Sequence, residues 1–243
     1  MDIKSTTKTL AILSYHKIGR SPENWESWFY IPEETFVEHL SHIQKEGWEV
    51  LDVSAFLQGL TDPATLPERT VLLTFDDGYR SLCKTTLPWL QHFSFPAVVF
   101  VPTDFIGKQN DFDRGVEPEE AICDWDHLYV LQRGGISIQS HSASHKWFSS
   151  LSPTEQWEEL LRSKALLENN LGNSVEVMAF PYGDPGINHQ EMKEMMKMAG
   201  YHAACLYRGG PFSLPAANPY QLERLAMGPD TDLLTVLKSK GTD

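Results

Sequence analysis

"LLTFDDGYRS", residues 72–81, decides how the rest of the chain is read. An apolar run through Leu72, Leu73 and Phe75 ends on two adjacent carboxylates, Asp76 and Asp77, directly before Gly78. Neighbouring carboxylates repel, so a buried or half-buried pair is tolerated only where a proton or a cation relieves it. A short apolar strand that ends in a charged turn suits a parallel α/β sheet, whose functional groups collect at the carboxyl ends of the strands.

The same unit recurs on both sides of this stretch. "LAILSYH" (10–16) precedes a helical pattern over 32–47, "TVLLTF" (70–75) one over 79–92, and "PAVVFVP" (96–102) a loop and then a helix over 125–133. "GISIQSH" (135–141) leads to a helix over 153–171 and "VEVMAFPYG" (175–183) to one over 190–199. "YHAACLY", "QLERLAM" and a final helix follow. This alternation predicts a parallel sheet covered by helices, either open and doubly wound or closed as a barrel. With 243 residues and no linker rich in Gly, Ser or Pro, one domain over 1–243 is expected. The longest irregular segment, 107–122, is acidic and reads as a mobile flap beside a site or as an inert surface insertion.

Composition narrows the function. Asp and Glu total 33 against 20 Lys and Arg, a formal charge of -13 that disfavours nucleic acid and anionic membrane surfaces. A neutral or cationic small molecule or glycan is the better partner. Cys83, Cys123 and Cys205 are too scattered for a thiolate zinc site and are expected to be reduced thiols. The apolar run at Leu10–Leu13 is too short for a signal-peptide core or a membrane span, so a soluble, cytoplasmic protein is expected.

On the predicted rim, His16, Asp76, Asp77, His141, Tyr182 and Gly183 converge. "HSASH" sets His141 and His145 four apart, a spacing at which two imidazoles can face one metal. Its intervening residues, Ser142, Ala143 and Ser144, offer no carboxylate base. One aspartate of the pair can complete a three-ligand site with an open position for water, and the other is free to take a proton. Aromatic residues flank these motifs: Trp25, Trp28, Phe29 and Tyr30 upstream, Trp147 and Phe148 after the histidines. Such faces suit sugar rings, although clusters of this kind also cap cores.

Taken together, "TFDDG" (74–78), "HSASH" (141–145) and "FPYG" (180–183) resemble, in order and spacing, the three motifs of the polysaccharide deacetylase family, the NodB-homology carbohydrate esterases. "LSYHKI", "WDHLYVLQRGG" and "GYHAACLY" also resemble family segments. The resemblance implies a distorted (β/α) barrel with parallel strands, and a divalent metal, usually zinc, held by Asp77, His141 and His145. It implies Asp76 as the general base that activates water on the metal against an N-acetyl or O-acetyl carbonyl. The backbone N–H of Tyr182 would help hold the oxyanion, and Pro181, Tyr182 and Trp147 are the candidate substrate contacts. An acetylated glycan or amino-sugar precursor is the implied substrate. A deformylase or cyclic-amide hydrolase of the same fold and a non-catalytic carbohydrate-binding domain are the alternatives.

The chain also departs from the family pattern. The usual arginine ahead of the third motif is replaced by "VMAF", Gln139 stands where glycine is common, and "DLLTVLKSK" lacks the late histidine. His189 and His16 are therefore the candidates for general acid. Arg224, a charge between Leu222 and Leu225 in "QLERLAM", is expected to reach Asp76 in place of the lost arginine. On that view Arg224→Met harms turnover but hardly moves the thermal midpoint.

Overall fold

The computed structural model describes residues 8–238. Its strands are β1 (Lys8–Tyr15), β2 (Lys17–Ile18), β3 (Tyr30–Ile31), β4 (Glu49–Val50), β5 (Arg69–Phe75), β6 (Ala97–Val101), β7 (Ile136–Ser140), β8 (Val177–Ala179), β9 (Ala203–Cys205), β10 (Phe212–Leu214) and β11 (Leu225–Ala226). The α-helices are α1 (Glu33–Lys45), α2 (Val53–Thr61), α3 (Leu87–Phe93), α4 (Trp125–Arg133), α5 (Pro153–Leu171), α6 (His189–Met198) and α7 (Leu233–Lys238).

Nine strands form one curled sheet in the order β10-β1-β5-β6-β7-β8-β9, with β4 against β5 and β11 against β1. Every pairing is parallel except that of β10 with β1, so the expected all-parallel sheet is mixed at this edge. Leu222 bridges to Cys205 beside β9, and Leu225 and Ala226 pair with Leu13 and Ser14 of β1. The "QLERLAM" segment thus spans from the last strand of the half-barrel back to the first.

The period of two along β5 explains why this sheet needs cover on both faces. Leu72 joins Leu10, Ile12, Val98 and Phe100 inside the curl, whereas Val71, Leu73 and Phe75 pack outward with Phe36, Leu40, Leu131 and Leu160 of the helices. Continuing the count places Thr74 and Asp76 on the interior side, at the strand's carboxyl end. α5 shows equally local logic: Ser152 and Glu155 form a capping box, and Gly172 ends the helix at φ 72°.

Other expectations need revision. The helix expected over 79–92 begins as a π-turn at Leu82–Thr86 before α3, and α2 has no counterpart in the sequence reading. Segment 107–122 is tied down rather than loose. Lys17 Nζ donates to Glu117 Oε2 at 2.9 Å, with the Tyr30 and Tyr79 rings each 4.7 Å from the ammonium. Ser27 adds a 2.6 Å bond to the same Glu117 oxygen, and Asn110 bonds Pro118 and Glu120 across the segment. A buried lysine survives here because its charge is paired and flanked by aromatic faces.

Candidate active site

The aspartate pair is split by a turn. Asp76 continues the strand, its N–H bonded to the Tyr15 carbonyl at 2.9 Å. Asp77 then adopts φ 66°, and the Gly78 N–H bonds back to the Asp76 carbonyl at 2.9 Å. A non-glycine residue in the left-handed region is strained, and such strain clusters at functional sites. The turn turns the second carboxylate onto the rim that Asp76 already occupies. Gly78 itself has φ 67°, and a Cβ there would meet Val101 at 3.0 Å.

Asp77 faces two imidazoles. Its Oδ1 lies 3.5 Å from His141 Nε2 and 3.2 Å from His145 Nε2, and the three ligand atoms fall within 4.8 Å of one another, all buried. His141 Nδ1 donates to the Ala179 carbonyl at 2.7 Å, which leaves Nε2 as the lone-pair nitrogen. His145 Nδ1 pairs with the Tyr182 hydroxyl at 3.2 Å. Burial pushes His141 down to about 4, so it is neutral near pH 7. Burial opposes ionisation of Asp77, but His145, His16 and His141 outweigh it and hold the carboxyl well below the usual range. Asp77 Oδ1 is nonetheless buried without a hydrogen-bond partner. One carboxylate and two imidazoles around an unsatisfied oxygen fit a divalent metal.

The loop carrying both histidines is itself braced. Ser142 and His145 have φ 63° and 56°. Glu159, buried on α5, accepts the Ala143 and Ser144 N–H groups at 2.8 and 2.7 Å through one oxygen, and the Ser144 hydroxyl at 2.7 Å through the other. Sequence reasoning missed this residue, since Glu158 and Glu159 look alike on an amphipathic helix.

Asp76 has a different environment. Arg224, 0% exposed, gives Nη1 to Oδ1 and Nη2 to Oδ2, each at 2.7 Å. The guanidinium also donates to Thr74 at 3.2 Å and, through Nε, to the Leu206 carbonyl at 2.6 Å. Burial opposes the Asp76 charge, and Arg224, with His141 and His16, overrides it to hold the carboxyl below its ordinary range. The two carboxylates side by side thus have separate surroundings, Asp76 an arginine and Asp77 two imidazoles that could share a metal with it.

The third motif closes the rim. Tyr182 sits at φ 58° in the short turn Pro181–Gly183, and a Cβ on Gly183 would come 2.5 Å from the Tyr207 nitrogen, so that position admits only glycine. Pro181 is buried. His16 places Nε2 3.9 Å from Asp76 Oδ2, between the Phe29 and Tyr207 rings at 4.6 and 5.5 Å. Burial lowers its pKa, and its Nδ1 is buried without a partner. From segment 107–122, Phe112 stacks on His145 at 4.0 Å, making the segment a wall of the site.

His189 does not join this group. It is exposed at the first position of α6, where the chain has turned away through Asp184, whose carboxylate is held by Ser149. Closeness in sequence to Tyr182 therefore gives it no place beside Asp76. Gln139 faces the start of β8, its Oε1 accepting the Glu176 and Val177 N–H groups at 2.8 and 2.9 Å. Phe148 is core, Trp25 and Trp28 are exposed, and Trp147 stacks on Tyr182. Cys123 and Cys205 are buried and Cys83 is half-buried. No helix among the described residues is long and apolar enough to cross a membrane.

Comparison with known proteins gives the family. The sequence pattern of the family described as "Polysaccharide deacetylase" matches residues 64–204, and the chain belongs to that family. It is 26% identical to YxkH of Bacillus subtilis (strain 168) over 220 residues, covering 90% of this chain and 72% of that protein. It is 29% identical to the poly-beta-1,6-N-acetyl-D-glucosamine N-deacetylase of Escherichia coli (strain K12) over 119 residues, 46% of this chain but 17% of the relative. In fold it is similar to the Streptococcus pyogenes deacetylase PplD, with a TM-score of 0.82 at 20% identity over 96% of this chain and 100% of that one.

Proposed function

We propose that this protein is a metal-dependent hydrolase that removes acetyl groups from N-acetylated amino sugars of a glycan. The observation that carries the reading is the division of labour at 76 and 77. Asp77 Oδ1 converges with two imidazole nitrogens and has no other partner, while Asp76 is held apart by Arg224. Asp77, His141 and His145 would hold the ion, and the mixed nitrogen and oxygen donor set favours zinc. When bound, such an ion acts as a Lewis acid that polarises an acyl oxygen and acidifies water.

The chain's own groups supply the rest. Asp76, ionised and fixed by two charge-assisted hydrogen bonds, takes a proton from the attacking water. The Tyr182 N–H, presented by the turn at Pro181–Gly183, donates to the oxygen that gains negative charge. The proton that Asp76 takes from water passes to the departing amine nitrogen, and His16, rather than His189, is placed to relay it, because it is the imidazole beside Asp76 that is not in the ligand set. Acetate and a free amine result. A non-catalytic carbohydrate-binding domain would have no use for a buried arginine-aspartate pair beside three convergent ligands.

The name of the Escherichia coli relative favours a polymer of N-acetyl-D-glucosamine over a cytoplasmic precursor. Acetate release from β-1,6-linked N-acetylglucosamine oligomers tests the reading: a chelator should abolish it and Zn2+ restore it. Metal-loaded protein that releases no acetate from any N-acetylated glycan would overturn it.

A further inference from the structure

We propose that Cys83 and Cys123 are a thiol pair that reacts with a small-molecule disulfide and closes to an intramolecular bond, locking the wall segment 107–122 to the turn that follows Asp77. Both thiols are free in the structure. They lie in crossed positions. Cys83 Sγ is 3.7 Å from the carbonyl oxygen of His127, four residues after Cys123, and Cys123 Sγ is 3.7 Å from that of Tyr79, four residues before Cys83. The two stretches are zipped together: the Arg80 N–H donates to the Ala121 carbonyl at 2.8 Å, the Cys123 N–H to that of Gly78 at 2.9 Å, and Tyr79 bridges to Ile122. The two thiols are in hydrogen-bonding contact with each other. Cys205 takes no part. Cys123 is buried in the core beneath the helices with Cys83 packed against it, whereas Cys205 is buried inside the curl, on the other face of the sheet.

Access and environment assign the two sulfurs different parts. Cys83, half-buried in the π-turn Leu82–Thr86, is the one a reagent can reach, and Cys123 is fully buried just before α4. The hydrogen bond from Cys123 holds Cys83 below the ordinary thiol range against the opposing effect of burial, and the same contact together with burial pushes Cys123 up. Cys83 therefore attacks first, since the thiolate is the nucleophile. Its thiolate displaces one thiolate from the added disulfide and forms a mixed disulfide. Cys123 then loses its proton, displaces the second thiolate from the Cys83 sulfur and completes the protein bond. Two electrons pass from the two protein thiols to the reagent, which leaves as two thiols carrying the two protons. A metal is not the reason for the pair. His127 turns its Nδ1 to Asp124 at 2.5 Å, and the convergent ligand set among the described residues is Asp77, His141 and His145. The reaction needs neither glycan nor metal, so it stands apart from the deacetylase reading.

The test incubates the native, folded protein with an excess of oxidised glutathione, counts free thiols after denaturation and maps linked peptides by mass spectrometry. Wild type should lose two thiols of its three, with Cys83 joined to Cys123 in the same chain and Cys205 left free, and should regain both on reduction. Cys123→Ser should stop at a glutathione mixed disulfide on Cys83, and Cys83→Ser should keep both remaining thiols. Oxidised wild type should melt roughly 5–10 °C above the reduced form and exchange amide hydrogens more slowly over 107–123. Three free thiols after oxidation, a bond that uses Cys205, or a bond between two chains overturns the pair. Equal melting and exchange in the two states overturn the lock. Circular dichroism establishes that each variant folds, and the wild-type peptide map decides the pairing where one does not.

Discussion

Replacing Arg224 by methionine removes a guanidinium that has no exposed surface and makes four hydrogen bonds, two of them to Asp76. The side chain's volume is largely kept, so cavity formation is a small part of the cost. The large part is Asp76, left charged and buried without its partner, and breaking a buried pair in this way costs about 3–5 kcal/mol. In a domain of this size 1 kcal/mol moves the midpoint by roughly 2–4 °C, so Arg224→Met should melt about 10 °C lower. Turnover should fall strongly as well, because the base loses its orientation. The sequence alone suggests an arginine whose loss spares the midpoint; its complete burial overturns that expectation. Removing both charges in Asp76→Asn/Arg224→Met should recover much of the stability, since no buried charge is then left without its partner. Scanning calorimetry of the single and double variants, with zinc content measured alongside, reads this directly. A midpoint for Arg224→Met within about 2 °C of wild type, less than one kcal/mol by that conversion, would refute the argument. So would a double variant no more stable than the single one.

Alanine at Asp77, His141 or His145 should remove bound metal and activity together, because each offers one ligand atom of three; elemental analysis showing full occupancy in all three variants would end the assignment. Asp76→Asn should keep the metal and lose at least about 100-fold in turnover, since an amide cannot accept the proton; a wild-type rate rules Asp76 out as base. Glu159→Ala should weaken zinc binding by about 10- to 100-fold in competition with a chromophoric chelator, as the loop between the two histidines loses three hydrogen bonds. Unchanged zinc affinity would show that the loop holds its shape without the brace.

The parts of the site legible in the sequence are those whose placement follows from strand geometry. Asp76 falls on the interior side because Leu72 does and the period is two, and Arg224 betrays its position as a charge between two core leucines of an extended segment. Strand ends and "HSASH" likewise bring Asp77, His141 and His145 to one rim once the sheet is known to be parallel. What stayed hidden depends on loops whose course no local pattern sets. Glu159 is one of two adjacent glutamates on α5, and only the path of residues 142–145 makes it, and not its neighbour, a buried acceptor. Segment 107–122 reads as loose because it is acidic and irregular, yet Glu117 finds Lys17 a hundred residues away, a pairing set by tertiary structure alone. His16 and His189 show the same asymmetry. His189 lies seven residues after Tyr182 and is exposed, while His16 lies sixty residues before Asp76 and touches it, because β1 and β5 are neighbours in register, with Tyr15 opposite Phe75. The next residue on each strand is then His16 on one and Asp76 on the other, so parallel pairing sets the proposed acid beside the proposed base.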